Sequence, residues 1–215
     1  MDGSVVATRK DRWLQALLRP AVLDRIEQAA VLGLYALLIR RVLMSDNALA
    51  PVLMLSEGAI VLFVLIRRPT NAISIKPGDW LLASIATAAP LLISPVDTSP
   101  AALVAPATAF VLLGNCMQIW SKLVLRRSFG IAPANRGVKI SGPYRLVRHP
   151  MYAGYLTANI GLFMLMPSLA NLAIYVVCWT AQILRLLAEE RLLSEDAAYR
   201  TLKETTRFRL IPGIF

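Results

Sequence analysis

The chain has 215 residues, 57% of them hydrophobic and only 17% charged, with a formal net charge of +10. Soluble domains carry about 25% charged residues, and the apolar excess here falls in long runs, so the composition is that of a membrane protein rather than a soluble domain. The basic excess does not point to nucleic acid, because no basic stripe interleaved with aromatics lies in a polar segment; the charges sit between hydrophobic runs, where Lys and Arg mark cytoplasmic loops and contact anionic lipid.

Residues 1–23 read as a cytoplasmic, partly amphipathic lead-in. Arg9, Lys10, Arg12, Arg19 and Arg25 surround the approach to the first apolar run, and no small-residue cleavage site follows a short apolar stretch, so this is not a cleavable signal peptide. Six apolar spans follow, at about 26–44, 50–66, 79–95, 101–125, 151–166 and 169–188. A membrane-crossing helix needs about 20 residues; the fourth span is comfortably long, the third is marginal and the fifth is short. Asp46, Asn47 and Pro51 break the first pair, Arg67-Arg68-Pro69 stops the second span, and Lys76-Pro-Gly-Asp79 opens the third. Pro167 near the start of the sixth span makes the last apolar run a helical hairpin.

Basic clusters lie at the N-terminus, at Arg67, Arg68 and Lys76, between Arg126 and Arg148, and from Arg185 onward, whereas the loops at 94–100 and 167–171 carry no Lys or Arg. This asymmetry predicts both termini in the cytoplasm and those two loops outside. Arg40 and Arg41 break the pattern, near the outer end of the first span. The fold expected is a single all-α, polytopic membrane domain over 1–215 with five to six transmembrane helices. Cys116 and Cys178 lie inside apolar runs, where free Cys behaves as a small hydrophobe. With His149 the sole histidine, the chain lacks the donors for an all-protein zinc site, and no metal is expected.

Polar residues inside the apolar spans form three stripes at helical spacing: Asn115, Gln118 and Lys122; Tyr152, Tyr155 and Asn159; and Gln182, Arg185 and Glu189. Each falls toward the cytoplasmic end of its span, and the loop 126–150 joins the first stripe to the second. Polar groups at membrane depth are costly and face a bundle interior or a cavity, so the stripes predict a pocket, with stapling of the bundle by inter-helix hydrogen bonds as the plain alternative. Gln118 and Asn159 are candidate substrate contacts. Glu57, inside the second span, reads as a structural partner for a Lys or Arg.

The segment Gly142-Pro-Tyr-Arg-x-x-Arg-His-Pro-x-Tyr-x-Gly154, followed by a hydrophobic hairpin and Arg185-x-x-x-Glu-Glu-x-x-Leu193, resembles the isoprenylcysteine carboxyl methyltransferase family, in its shorter bacterial branch, and more broadly the phospholipid N-methyltransferases. The resemblance covers about 110–215, so 101–215 is expected to be the methyltransferase core, while 1–100 holds helices of unknown role. It implies a bacterial inner-membrane enzyme with a cytoplasmic cofactor loop that binds S-adenosylmethionine and acts on a lipid-like acceptor. It further implies that Arg136, Gly137, Val138, Lys139, Tyr144, His149, Pro150, Met151 and Tyr152 contact the cofactor, that Gly154 allows close helix approach, that Glu189 takes the cofactor's amino group, and that Arg185 lies near a substrate carboxylate.

Methyl transfer needs alignment and a dry site more than acid–base help, and a carboxylate nucleophile is already ionised at neutral pH. O-methylation of a carboxylate is therefore the leading expectation, with Arg185 and Glu189 as the catalytic pair. An amine acceptor would first have to lose a proton, and His149 or Glu190 would have to take it. The alternatives are N-methylation of an aminolipid, an NADPH-dependent membrane sterol-type reductase, and a non-catalytic membrane binding protein.

Overall fold

The computed structural model describes residues 19–44, 61–94 and 100–215. The second expected span and Glu57 lie mostly outside these, as do the lead-in 1–18 and the tip of the 94–100 loop. Among the described residues the protein is helical, and the single β-bridge joins Ile73 to Ala134.

Helix α1 spans Pro20–Leu43, with Pro20 at the first helical position, where a missing N–H costs nothing. It begins earlier than the apolar run, so Asp24 and Glu27 lie in its first two turns. Val31 packs with Val61, Val64, Phe129 and Met151 in one apolar cluster, which seats α1 against the described helical residues 61–65 and against Met151. Residues 67–76 then run extended beside the loop 126–149: Arg68 N–H donates to Arg127 O at 2.7 Å, Ser74 N–H to Pro133 O at 2.9 Å, and Asn135 N–H to Ala72 O at 2.8 Å. Helix α2, Pro77–Ala88, gives way to a 3-10 turn over Ala89–Leu92, because Pro90 cannot donate the next α-helical bond.

Helix α3, Ala101–Leu125, is followed by α4, Pro150–Leu165, α5, Leu169–Leu193, and the short α6, Ala197–Thr205. Among the described residues two helices are long and apolar enough to cross a membrane, Ala101–Ser128 and Leu169–Leu193. Their outward faces are apolar, with Leu112, Leu113, Leu123, Val176 and Val177 exposed, which is the surface a bilayer covers and water does not. The expected third and fifth spans are shorter than a crossing requires. Helix α4 has 16 residues, about 24 Å at 1.5 Å per residue, against about 30 Å of hydrocarbon. Helix α1 is long but carries Asp24, Arg25 and Glu27 in its first two turns.

Small residues let α3 and α4 touch backbone to backbone. A Cβ added at Gly114 would sit 2.4 Å from Ala158 N and 2.6 Å from Gly154 O, and one at Gly161 would sit 2.5 Å from Ala107 O. Backbone atoms cannot step aside as a flexible side chain can. Gly114→Ala is therefore expected to force the pair apart and lower stability by about 1–3 kcal/mol, the usual range for overpacking. Gly33→Ala meets nothing within 4 Å and should be neutral or stabilising, because alanine is the better helix former. Thermal unfolding of both variants in detergent checks the contrast.

The turn between α4 and α5 meets the end of α2. Asn171, fully buried, donates to Ser94 O at 3.0 Å and Met166 O at 2.9 Å and accepts from Ser94 N–H at 3.1 Å. Ser94, the last described residue entering one loop that lacks Lys and Arg, thus lies beside the 167–171 turn, while the basic loop 126–149 leads into the opposite end of α4.

Candidate active site

At the polar end of α3, α4 and α5 lies an open cavity, with about 720 Å³ of space not filled by protein atoms when its mouth and the adjoining solvent are included. Leu125 closes it from α3. The loop 128–139 forms one wall, the start of α4 a second, Glu189 and Leu193 of α5 a third, and Tyr199 and Leu202 of α6 a cover.

His149 is the residue before α4, with Pro150 opening the helix. This fixes the direction in which the first turn leaves the loop and sends Tyr152 toward α5. The Tyr152 hydroxyl donates to Glu189 Oε1 at 2.6 Å. Arg185, one turn back on α5, lies with Nε 3.5 Å from the same oxygen and with its guanidinium 5.4 Å from the centre of the Tyr152 ring, within cation–π range. The His149 and Tyr155 rings meet Tyr152 edge-on at 5.7 and 6.5 Å. Glu189 keeps 18% of its side chain exposed while Arg185 keeps 7%. The carboxylate therefore faces the cavity, and the guanidinium stands behind it.

The neighbouring Glu190 turns away from Glu189 and is the centre of a buried knot. Its Oε1 lies 2.9 Å from Arg148 Nε and accepts from the Tyr199 hydroxyl at 3.1 Å, and its Oε2 accepts from Arg209 Nε at 2.8 Å. His149 Nε2 lies 3.4 Å from Oε1 and 3.2 Å from the Tyr199 oxygen. The backbone joins in, with Arg148 N–H donating to Phe208 O and His149 N–H to Arg209 O, both at 2.9 Å. Burial, followed by the field of Glu190, pushes the Tyr199 hydroxyl upward in pKa. Burial and the Glu189 charge do the same to Tyr144. Both therefore remain neutral hydroxyls across the physiological range.

The wall 128–139 is tied from outside. Arg136 Nη2 meets Asp24 Oδ1 at 2.6 Å, and its Nη1 donates to Arg68 O at 2.8 Å. Burial and the adjacent Arg67 lower the Arg136 pKa, with Asp24 acting in the opposite direction. Gly137 takes φ of 101°, a left-handed conformation open to glycine at little cost, and its N–H donates to Asn135 Oδ1 at 2.9 Å. Lys139 lines the cavity and has no ion pair among the described residues.

Of the residues singled out from sequence, Arg136, Gly137, Val138, Lys139, Tyr144, His149, Met151, Tyr152 and Glu189 line this one cavity. Pro150 and Gly154 do not. Pro150 is buried in the first turn, and Gly154 packs on α3, where an added Cβ would lie 2.7 Å from Gly114 O. Only one corner of the three polar stripes reaches the site. Asn115 is exposed, and Gln118, Lys122 and Gln182 are buried, with Gln182 Nε2 directed at Ala86 O of α2 at 3.4 Å. Gln118 and Asn159 do not line the cavity, and Arg185 touches it only through Tyr152 and Glu189. Sequence reasoning missed Arg148, Tyr199 and Leu202. Arg148 stands inside the 142–154 motif and was open to notice; Tyr199 and Leu202 lie on a short helix whose polar average hides its one apolar face.

Among the described residues, two helices of membrane-spanning length and composition carry an ionic cavity near one end of the helix set, an arrangement that suits a membrane protein. Residues 103–199 match the family model described as phospholipid methyltransferase. The match covers a little under half of the chain; the family it describes is one of membrane methyltransferases. Members generally use S-adenosylmethionine. No curated protein matches the chain.

Proposed function

We propose that the chain is an S-adenosylmethionine-dependent methyltransferase of a bacterial inner membrane, with its cavity facing the cytoplasm, and that it O-methylates a carboxylate on an amphipathic, lipid-like acceptor. The cavity's chemistry fits the donor. Glu189, partly exposed and oriented by Tyr152, offers a carboxylate for an ammonium group. Lys139 offers a cation for a carboxylate. Leu125, Met151 and Leu202 supply apolar walls. S-adenosylmethionine, when bound, supplies a methyl group on a sulfonium, open to in-line displacement.

The observation that carries the choice of a carboxylate is the Glu190 knot. An amine acceptor is protonated at neutral pH and needs a base. Glu190 is taken up by Arg148, Arg209 and Tyr199, and His149 faces Glu190 and Tyr199, so neither candidate base is free for an incoming amine. Arg185 adds a positive charge behind Tyr152, which favours an anionic acceptor in that corner over a cationic one.

The second reading, N-methylation of an aminolipid, is favoured by the description of the matching family model. One experiment separates the two. The purified protein is incubated with methyl-labelled S-adenosylmethionine and membrane lipid extract, and the lipid product is treated with base. A carboxyl methyl ester releases volatile labelled methanol, the expected result. Base-stable label in the lipid overturns the carboxylate reading and supports the amine. A thermal-shift response to NADPH and none to S-adenosylhomocysteine would instead indicate a reductase.

A further inference from the structure

We propose that Asp24 and Glu27 of α1 are positioning residues that hold the 128–139 wall of the cavity in its binding shape, which gives the N-terminal part of the chain a role in the site. The proposal rests on reading that wall as a cofactor contact.

The geometry is specific to the loop. Glu27 Oε1 accepts from Ile131 N–H at 2.5 Å and, more loosely, from Ala132 N–H at 3.4 Å. A side chain on one helix thus satisfies backbone donors about a hundred residues away, in a loop with no ladder of its own to satisfy them. Charged acceptors make the stronger bonds to backbone N–H groups. Arg67 lies between the two acids, 2.9 Å from Asp24 Oδ1 and 2.7 Å from Glu27 Oε1. Asp24 in turn pairs with Arg136 at 2.6 Å.

Glu27, Arg67 and Arg136 are each at most 5% exposed. Two carboxylates thus balance two guanidiniums away from water, where an unbalanced charge is costly. Arg136 is part of the cavity wall, and its side chain is wholly buried against this cluster, so the pairing that fixes its guanidinium also fixes the wall. Neither α1 nor Arg67 lies in the segment 103–199 that carries the family match.

The test compares Glu27→Ala, Glu27→Gln and Asp24→Asn with wild type in detergent. It uses S-adenosylhomocysteine calorimetry together with hydrogen exchange on the unliganded protein. Glu27→Ala is expected to weaken S-adenosylhomocysteine at least tenfold and to speed exchange of the 130–137 amides, with α3 and α5 retaining wild-type protection. Glu27→Gln keeps an acceptor oxygen and should recover part of both, while Asp24→Asn should release Arg136 and weaken binding by a smaller factor. Turnover at saturating donor should fall by less than about threefold, so that the loss lies in KM.

Unchanged loop exchange and unchanged affinity in Glu27→Ala overturn the proposal. So does loosening spread evenly over all helices, which marks a purely structural role. If Glu27→Ala does not fold, the Gln and Asn variants decide on the same two readouts. If wild type binds no S-adenosylhomocysteine, the methyltransferase reading fails, and loop exchange alone still decides whether the latch exists.

Discussion

Replacing Glu189 by alanine should remove most of the affinity for S-adenosylhomocysteine while leaving the fold in place. Glu189 is the one carboxylate among the cavity's described lining residues, where Lys139, Arg148 and His149 are further ionisable nitrogen groups and the Arg136 side chain is tied to Asp24 outside the wall. Among the described lining residues a ligand ammonium entering there meets no other carboxylate. Losing a hydrogen-bonded charge partner in a partly buried site costs about 2–5 kcal/mol, roughly 30-fold and upward in Kd. The Tyr152 hydroxyl, which now donates to Glu189 at 2.6 Å, would lose its acceptor, and Arg185 would be left against the Tyr152 ring without its carboxylate. Tyr152→Phe should cost less, because the carboxylate remains and only its orientation loosens. Calorimetry checks both, with circular dichroism confirming the helices. A folded Glu189→Ala protein with wild-type affinity would sink the assignment of the ammonium site.

Much of the cavity was legible in the sequence because its residues are close in the chain or at helical spacing. The run 142–154 contributes Tyr144, His149, Met151 and Tyr152, and the run 136–139 contributes four successive wall positions. Arg185 and Glu189 share a face through their spacing of four. What was not legible depends on contacts across long separations. Nothing local says that Glu27 caps Ile131 or that Arg209 returns to Glu190; each follows from where the loop 67–76 and the C-terminal segment lie in space. Helical spacing gives a shared face but not the neighbour that face meets, so Gln182 faces α2 instead of the cavity and Gln118 packs beside Gly154. Hydropathy likewise marks apolar stretches and not where regular helix ends: Pro90 ends regular α-helix in the third stretch, and α4 stops at Leu165.

Glu189 and Glu190 are adjacent in sequence and opposite in consequence, and the second large effect follows from that difference. Successive residues on a helix point about 100° apart, so when Glu189 faces the cavity Glu190 faces α6 and the C-terminal segment. Its carboxylate holds Arg148, Arg209 and Tyr199 with its side chain only 7% exposed. Glu190→Ala leaves Arg148, itself 7% exposed, without a counter-charge and removes the acceptor that joins the start of α4 to α6 and the chain end. Breaking a buried pair from one side costs about 3–5 kcal/mol, which for a chain of this length is a fall on the order of 10 °C in Tm. Arg209→Ala should cost much less, since that side chain is 33% exposed and water replaces part of the interaction. Glu190→Gln should fall between the two, because it keeps an acceptor but not the charge. Thermal unfolding in detergent reads all three. If Glu190→Ala and Glu190→Gln were as stable as wild type yet inactive, Glu190 would be a base for the acceptor instead of the centre of a knot, and the case for a carboxylate acceptor would fall with it.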